Sequence, residues 1–245
     1  SSDVCSSDLV LEPERMEIAV CVEPSDAPSR PTAAQQAAAK PSAAAVTSIE
    51  YWKKWDDEHA GMECFDQKIM NQAIAMRDSI MANASARKYL SGSSNEVSVI
   101  TRRVLNTSCG DVTVRLRGRI DCVPTGPNLV DIKTVGLGGA SKEEFSKQIA
   151  EYDYHLQAAY YLDLYNSRQP YEWDQKTGFV FIAIEKEPPY GVALHRLTPR
   201  SIEQGREEYN RMLASVAECI AANTWPMYPE WEQEIELPPW ATKKG

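Results

Sequence analysis

The stretch GRIDCVPTGPNLVDIKT, residues 118–134, decides the fold. Just upstream, Val112, Val114, Leu116, Gly118 and Ile120 alternate with Thr113, Arg115, Arg117, Arg119 and Asp121. A period of two is the mark of a half-buried strand. Pro124, Gly126, Pro127 and Asn128 then supply turn chemistry. Leu129 to Thr134 reads as the next strand, and Glu96 to Val104 as the one before. Short turns between three such strands imply an antiparallel meander. Asp131 and Lys133 are two apart, so they share a face and sit about 7 Å apart along the strand. Val130 and Ile132 point the other way, into a core. Asp121 ends the preceding strand, just across the turn. The hairpin thus gathers two carboxylates and one ammonium at one edge of the sheet.

On the N-terminal side, residues 66–90 read as one helix, with Ile69, Ala73, Met76, Ile80 and Ala84 forming an apolar stripe and Gly92 as the stop. Ser48 suits the cap of an earlier helix carrying Tyr51, Trp52 and Trp55 on one side. Residues 22–48 are rich in Ala, Pro and Ser and read as a linker or disordered loop. The first nine residues look foreign: Asp3 to Leu9 is what GAC GTG TGC TCT TCC GAT CTN encodes, the string of a sequencing-adapter end. The division expected is therefore an adapter-derived 1–9, a truncated segment and linker over 10–46, and a main domain over 47–245.

On the C-terminal side, Gly136, Gly138 and Gly139 end the third strand. Ser141 with Glu144 resembles a capping box and opens a helix to about Glu151. A second helix runs from about Tyr154 to Tyr165. Phe179 to Ile184 and Val192 to Leu197 read as two further strands. Thr198-Pro199 starts a last long helix to about Ala222, with proline at its first position. The aromatic, proline-rich tail after it is expected to be extended and packed on the body. The order of elements implies an α+β, or mixed α/β, fold: a mainly antiparallel sheet flanked by helices.

Composition narrows the class. An apolar share of 43% with 25% charged residues suits a globular domain. No apolar window is long enough to span a membrane, and no signal peptide opens the chain. A cytoplasmic protein is expected. The 6 cysteines are scattered without a CxxC pair, which speaks against a closed zinc site or an iron–sulfur cluster. The net charge of −9 argues against a surface coated in positive charge for nucleic acid. A local basic groove is still compatible with an acidic whole.

The hairpin constellation suits one chemistry. Hard divalent cations such as Mg²⁺, with Mn²⁺ as a substitute, take oxygen ligands and one or two carboxylates. Asp121 and Asp131 supply these, and the carbonyl of Ile132 adds a third oxygen. Glu96, at the start of the first strand, is a further candidate ligand. A cation beside Lys133 can activate water for attack on phosphorus and stabilise the charge that develops. Gln157 and Tyr161 lie four apart on one helix face, with Tyr154 three before Gln157. Arg102, Arg103, Arg115, Arg117 and Arg119 crowd the neighbouring strands and offer bidentate contacts to DNA phosphate. The plain alternative for each is a solvated strand face, a turn-capping aspartate, or surface tyrosines.

The run GRIDCVPTGPNLVDIKT, followed by FSKQIAEYDYHLQAAYYLDLY at 145–165, resembles the PD-(D/E)xK nucleases and looks most similar to the exonuclease VIII (RecE) type of phages and prophages. The likeness runs from about Leu9 to Trp240 and includes LVLEPERM near the start and WPMYPEWEQEIELPPW near the end. It implies a restriction-endonuclease-like core in which Asp121 and Asp131 bind Mg²⁺ and Lys133 is the motif lysine. Gln157 and Tyr161 match the family's Gln-x-x-x-Tyr helix, and Glu96 matches an acidic position before the hairpin. It further implies 5′-to-3′ degradation of linear double-stranded DNA from its ends, a ring-shaped homo-oligomer, and a RecT-type single-strand annealing partner in recombination. Similar sequences carry a histidine four residues before the Leu-Glu-Pro segment, where this chain has Ser7. The competing expectation is a catalytically silent DNA-binding or assembly module that kept the fold.

Overall fold

The computed structural model describes residues 10–238 of the chain, apart from the side chains of residues 15–17. Ser7 and the adapter-like string lie outside the described residues. The elements run α1 (Pro13–Ala19), β1 (Val20–Val22), α2 (Ala33–Ala37), α3 (Ala43–Glu58), β2 (Glu63–Phe65), α4 (Gln67–Ala82) and α5 (Ala84–Leu90). They continue with β3 (Ser94–Thr107), β4 (Gly110–Val123), β5 (Asn128–Val135), α6 (Lys142–Glu151) and α7 (Tyr154–Asn166). A 3₁₀ turn (Glu172–Asp174), β6 (Gly178–Glu185), β7 (Val192–Arg196) and α8 (Pro199–Ala222) complete the set.

The main sheet has the order β3-β4-β5-β6-β7. β3 and β4 pair antiparallel along almost their whole length, from Ser94↔Val123 to Thr107↔Gly110. β5 is parallel to β6, and β6 antiparallel to β7. The meander of three strands is as the turn lengths imply, and α6 and α7 form the crossover that makes the fourth strand parallel. A separate parallel pair, β1 with β2, has no counterpart in the sequence reading. Strands of three residues leave too few positions for a period to show.

β5 is the middle strand, not an edge, and around it the sheet is covered on both faces, while the β3–β4 hairpin leaves Ile100 and Val104 exposed. On the front, α6, α7 and α8 cover it: Phe145, Ala158, Leu162 and Tyr209 pack with Ile120, Leu129, Phe179 and Phe181. On the back, Met76, Ile80 and Ala86 of α4 and α5 pack with Val130, Ile132, Val180 and Ile182, joined by Leu11. Val130 and Ile132 do face a core, but so does the side carrying Asp131. This corrects the placement of the charged hairpin at a sheet edge.

Five local readings also change. Residues 66–90 form two helices, because Asn83 breaks the run and its side chain accepts from the N–H groups of Ser85 and Ala86. The apolar stripe therefore ends at Ile80, and Ala84 is exposed. Ser42, not Ser48, caps α3, and the Ser48 hydroxyl instead donates to the Ser29 carbonyl at 2.6 Å. The Ala/Pro-rich stretch is partly helical: alanine's helix propensity and the Thr32–Gln35 capping box sustain α2. Trp52 anchors the stretch by donating to the Pro28 carbonyl at 2.7 Å, with Arg30 stacked 4.0 Å over its ring. Ser141 caps α6 as expected, but Glu144 bonds Lys147 instead of closing a capping box. The tail is extended yet does not pack on the body: Tyr228 is 94% exposed and Ile235 90%. Its glutamates keep it hydrated and its prolines exclude a helix.

α8 docks on α7 through Gly205. A Cβ there would sit 2.2 Å from the carbonyl oxygen of His155 and 2.5 Å from its carbon. The Gly205→Ala substitution brings about 1 kcal/mol of helix propensity, but a backbone clash costs about 1–3 kcal/mol. The clash is expected to win, lowering the midpoint of urea unfolding. A raised midpoint would show that the two helices have room to part.

Candidate active site

β4 and β5 share one ladder pair, Cys122↔Val130, and then separate. Alternation fails at the same place. Ile120 belongs to the front core and Cys122 to the back one, so Asp121 between them is turned sideways. Its Oδ2 accepts from the Ile132 N–H at 3.1 Å, doing for that amide what a neighbouring strand would do. In an extended strand the N–H and C=O of one residue leave on the same side. The Ile132 carbonyl therefore opens toward the same gap.

Opposite Asp121 in the β3–β4 register stands Glu96, which the ladder skips. Its φ is +52°, a left-handed value that is uncommon for a residue inside a strand. That local departure sends the Glu96 side chain to Arg119, whose Nε it contacts, and close enough to Asp131 to act on its ionisation.

Asp131 is only 2% exposed, which rules out a solvated strand face. Its Oδ1 accepts from Gln157 Nε2 at 3.0 Å. Its Oδ2 is fully buried and ion-pairs with Lys133 Nζ at 2.8 Å, in poor hydrogen-bonding alignment and with no other polar partner. Lys133 Nζ lies 4.6 Å from the centroid of the Tyr154 ring. Tyr161 reaches over β4 because residue 118 is glycine: a Cβ there would meet Leu164 Cδ2 at 2.7 Å and Tyr161 Cε1 at 3.2 Å. One helix thus brings Tyr154, Gln157 and Tyr161 over Asp121, Asp131 and Lys133.

The electrostatics follow from burial. Burial, and then the charge of Asp131, push Asp121 up to about 7, against the pull of the Ile132 N–H, Lys133 and Arg119. Burial pushes Asp131 up as well, with Lys133 and Gln157 opposing. Burial works against the Lys133 ammonium, but Asp131 and Asp121 outweigh it and hold its pKa above the ordinary value. Burial raises the Tyr154 and Tyr161 hydroxyls.

The donor set suits a hard cation. It is all oxygen: the buried carboxylate of Asp131, the partly buried one of Asp121, a backbone carbonyl opening to the same gap, and Glu96 beside them. The unaligned Asp131 Oδ2 and the raised Asp121 mark negative charge that a cation would neutralise.

Not every expected residue joins this centre. Gly118 and Leu116 face α7, so Arg115 and Arg117 project from the back of the sheet, with Arg102 paired to Arg115 on that side. Arg119 is engaged by Glu96 and, at 3.4 Å, by Glu12. Arg103 bonds Asn210 at 2.7 Å. Two groups escaped the sequence reading. Glu12 lies within the Leu-Glu-Pro segment, which was the available signal, and ties the N-terminal segment to Arg119. His155 bonds Glu208 at 3.1 Å and the Ile149 carbonyl at 3.3 Å, and with Asp153 these form a separate cluster of potential ligands. Nothing in one-dimensional spacing joins residues 155 and 208.

A family model described as a PDDEXK-like domain of unknown function (DUF3799) matches residues 49–236. The chain belongs to this PDDEXK-like family. Among solved structures, this PDDEXK-like chain is similar to the "Putative exonuclease" of Eubacterium rectale, at 14% identity and a TM-score of 0.52. The match covers 82% of this chain and 75% of that one, and at this identity it speaks to fold alone. A weaker match, to SSO0001, has 17% identity and a TM-score of 0.31 over 68% of this chain and 74% of that one, too low to support an argument. A search of curated proteins finds no match. Among the described residues, no helix of the PDDEXK-like chain is long and apolar enough to cross a membrane.

Asp121 sets a pH dependence whose sign is opposite to the usual aspartate case. Between 3.8 and about 7 the unfolded chain has released this proton while the fold retains it. Stability of the cation-free protein therefore falls as pH rises through that window. In thermal melts with EDTA, Asp121→Asn is expected to match the wild type near about pH 4 and exceed it at about pH 8. Added Mg²⁺ is expected to close the gap by raising the wild type. Parallel curves for the two proteins at all pH values would show that Asp121 ionises freely.

Proposed function

We propose that this protein is a Mg²⁺-dependent exodeoxyribonuclease acting on linear double-stranded DNA. The observation that carries the reading is the meeting of Asp121, Asp131 and Lys133 under Gln157, in the gap where β4 leaves β5. Its likeness to the exonuclease VIII type favours 5′-to-3′ polarity, a role in phage-type recombination and a RecT-type annealing partner.

Asp121 and Asp131, with the Ile132 carbonyl and Glu96, would hold the cation; Mn²⁺ suits the same donors. When bound, it supplies Lewis-acid polarisation of the phosphate and lowers the pKa of water nearby. The chain's own groups do the rest. Gln157 fixes the rotamer of Asp131 by holding Oδ1, leaving Oδ2 to Lys133 and to a cation. Lys133 stays charged between two carboxylates, and its ammonium can orient an attacking water and donate to an oxygen of the phosphate. The Tyr154 ring walls one side of that ammonium and limits its reach. Arg119 neutralises Glu96 and Glu12, which lessens repulsion of an incoming phosphate. Arg102, Arg115 and Arg117 point away from the reacting centre and have no part in this chemistry.

The test is nucleotide release from linear duplex DNA with Mg²⁺. Asp131→Ala and Lys133→Ala are each expected to lower the rate by about 1,000-fold or more. Covalently closed circular DNA is expected to survive wild-type enzyme. Equal release by wild type and both variants would end the nuclease reading, and rapid cutting of circles would end the exonuclease part.

A further inference from the structure

A second group of ligand-type side chains lies outside the Asp121 centre, where α6, α7 and α8 meet. Asp153 and His155 flank Tyr154, the first residue of α7, and Glu208 stands in the middle of α8. A carboxylate oxygen of Asp153, a ring nitrogen of His155 and a carboxylate oxygen of Glu208 lie within 4.8 Å of one another. A divalent ion with bonds of about 2.0–2.2 Å holds neighbouring tetrahedral ligands about 3.4 Å apart. Small side-chain rotations cover the difference, and His155 Nε2 is already 3.1 Å from Glu208 Oε2.

Three features separate this group from an ordinary surface ion pair. The imidazole faces acceptors on both sides, since Nδ1 also lies 3.3 Å from the Ile149 carbonyl oxygen. A neutral ring has one N–H and satisfies one of them. Donation from Nδ1 to the carbonyl is the arrangement that orients metal-bound histidines, and it turns the Nε2 lone pair toward the two carboxylates. A cation there makes every contact attractive. A doubly protonated ring, by contrast, balances one carboxylate and leaves the other. Asp153, moreover, spends no oxygen on capping its own helix. Its exposure leaves room for water as a further ligand, while the His155 side chain is only 12% exposed. The frame is also fixed. Gly205 lies three residues before Glu208 on the same side of α8, and a Cβ there would sit 2.2 Å from the His155 carbonyl oxygen. The packing of the two helices therefore holds His155 and Glu208 together before any ion arrives.

We propose that Asp153, His155 and Glu208 form a second metal site, separate from the Asp121 centre, which takes Zn²⁺ or a similar borderline ion with water completing the shell. One ring nitrogen with two carboxylate oxygens suits such an ion, whereas Mg²⁺ favours the all-oxygen set around Asp131. The ion ties α8 to the start of α7. Tyr154 lies between two of the ligands and places its ring centroid 4.6 Å from Lys133 Nζ, so the ion also steadies one wall of the Asp121 centre. The second site is independent of the nuclease reading.

The experiment uses the full chain, stripped of metal with a chelator and labelled with ¹⁵N at its 3 histidines. His59 and His195 are each engaged by a backbone carbonyl, of Trp55 and of Ala140. Excess Mg²⁺ is present throughout to fill the Asp121 centre. One equivalent of Zn²⁺ is expected to move the Nε2 resonance of His155, to leave the His59 and His195 rings in place, and to raise the melting temperature. Competition against a chromophoric chelator is expected to show Zn²⁺ affinity weakened at least about 10-fold in Glu208→Gln and in Asp153→Asn. Asp153 is exposed, so its variant is expected to keep the metal-free melting temperature of the wild type. A His155 resonance that ignores Zn²⁺ would identify a plain ion pair with Glu208 and overturn the proposal. So would full Zn²⁺ affinity in either variant, which would place the ion on the Asp121 centre or on the cysteines.

Discussion

A buried carboxylate facing an ammonium in the middle of the sheet is the constraint around which the rest is arranged. Taking Asp131 and Lys133 out of water costs several kcal/mol each unless the pair is supported. The support comes from Gln157, which donates to Asp131, and from the opposing charges. It is incomplete, since Asp131 Oδ2 has no aligned donor and Asp121 is pushed up to about 7. A purely structural ion pair gains nothing from a second, partly buried acid beside it. An all-oxygen pocket with excess negative charge suits a divalent cation.

The geometry of that pocket depends on two failures of regularity at one level of the sheet. β4 drops its ladder with β5 after a single pair, and Glu96 adopts a left-handed backbone opposite Asp121. Regular pairing would have filled the Ile132 amide with a carbonyl and turned Asp121 to a face. The irregularity opens a gap between strands while both cores continue on either side. Helix α7 then closes the front, and Gly118 lets Tyr161 lie close against β4. Gly205 sets how α8 meets the start of α7, so the position of Gln157 rests on contacts more than forty residues away along the chain.

Much of this was legible in the chain. The two-residue period across 112–121, the turn at 124–128 and the spacing of Asp131 and Lys133 foretold the hairpin and its shared face. Gln157 and Tyr161 fell on one helix face for the same reason, since spacing within an element is local geometry. That Arg102, Arg115 and Arg117 lie on the back of the sheet was not legible, because alternation says which residues share a face but not which face a helix will cover. Residues 66–90 looked continuous because an apolar stripe persists past Asn83, while the competing cap depends on a single side chain.

By itself, then, the sequence determined periods, turns, caps and the pairing of acids with a lysine, all of which act over a few residues. Tertiary structure alone decided that β5 is central, that Asp131 is buried, that Glu12 and Glu96 meet at Arg119, and that three arginines turn away. These depend on packing between segments distant in the chain, where the free energy of burial selects among arrangements that local geometry leaves equal.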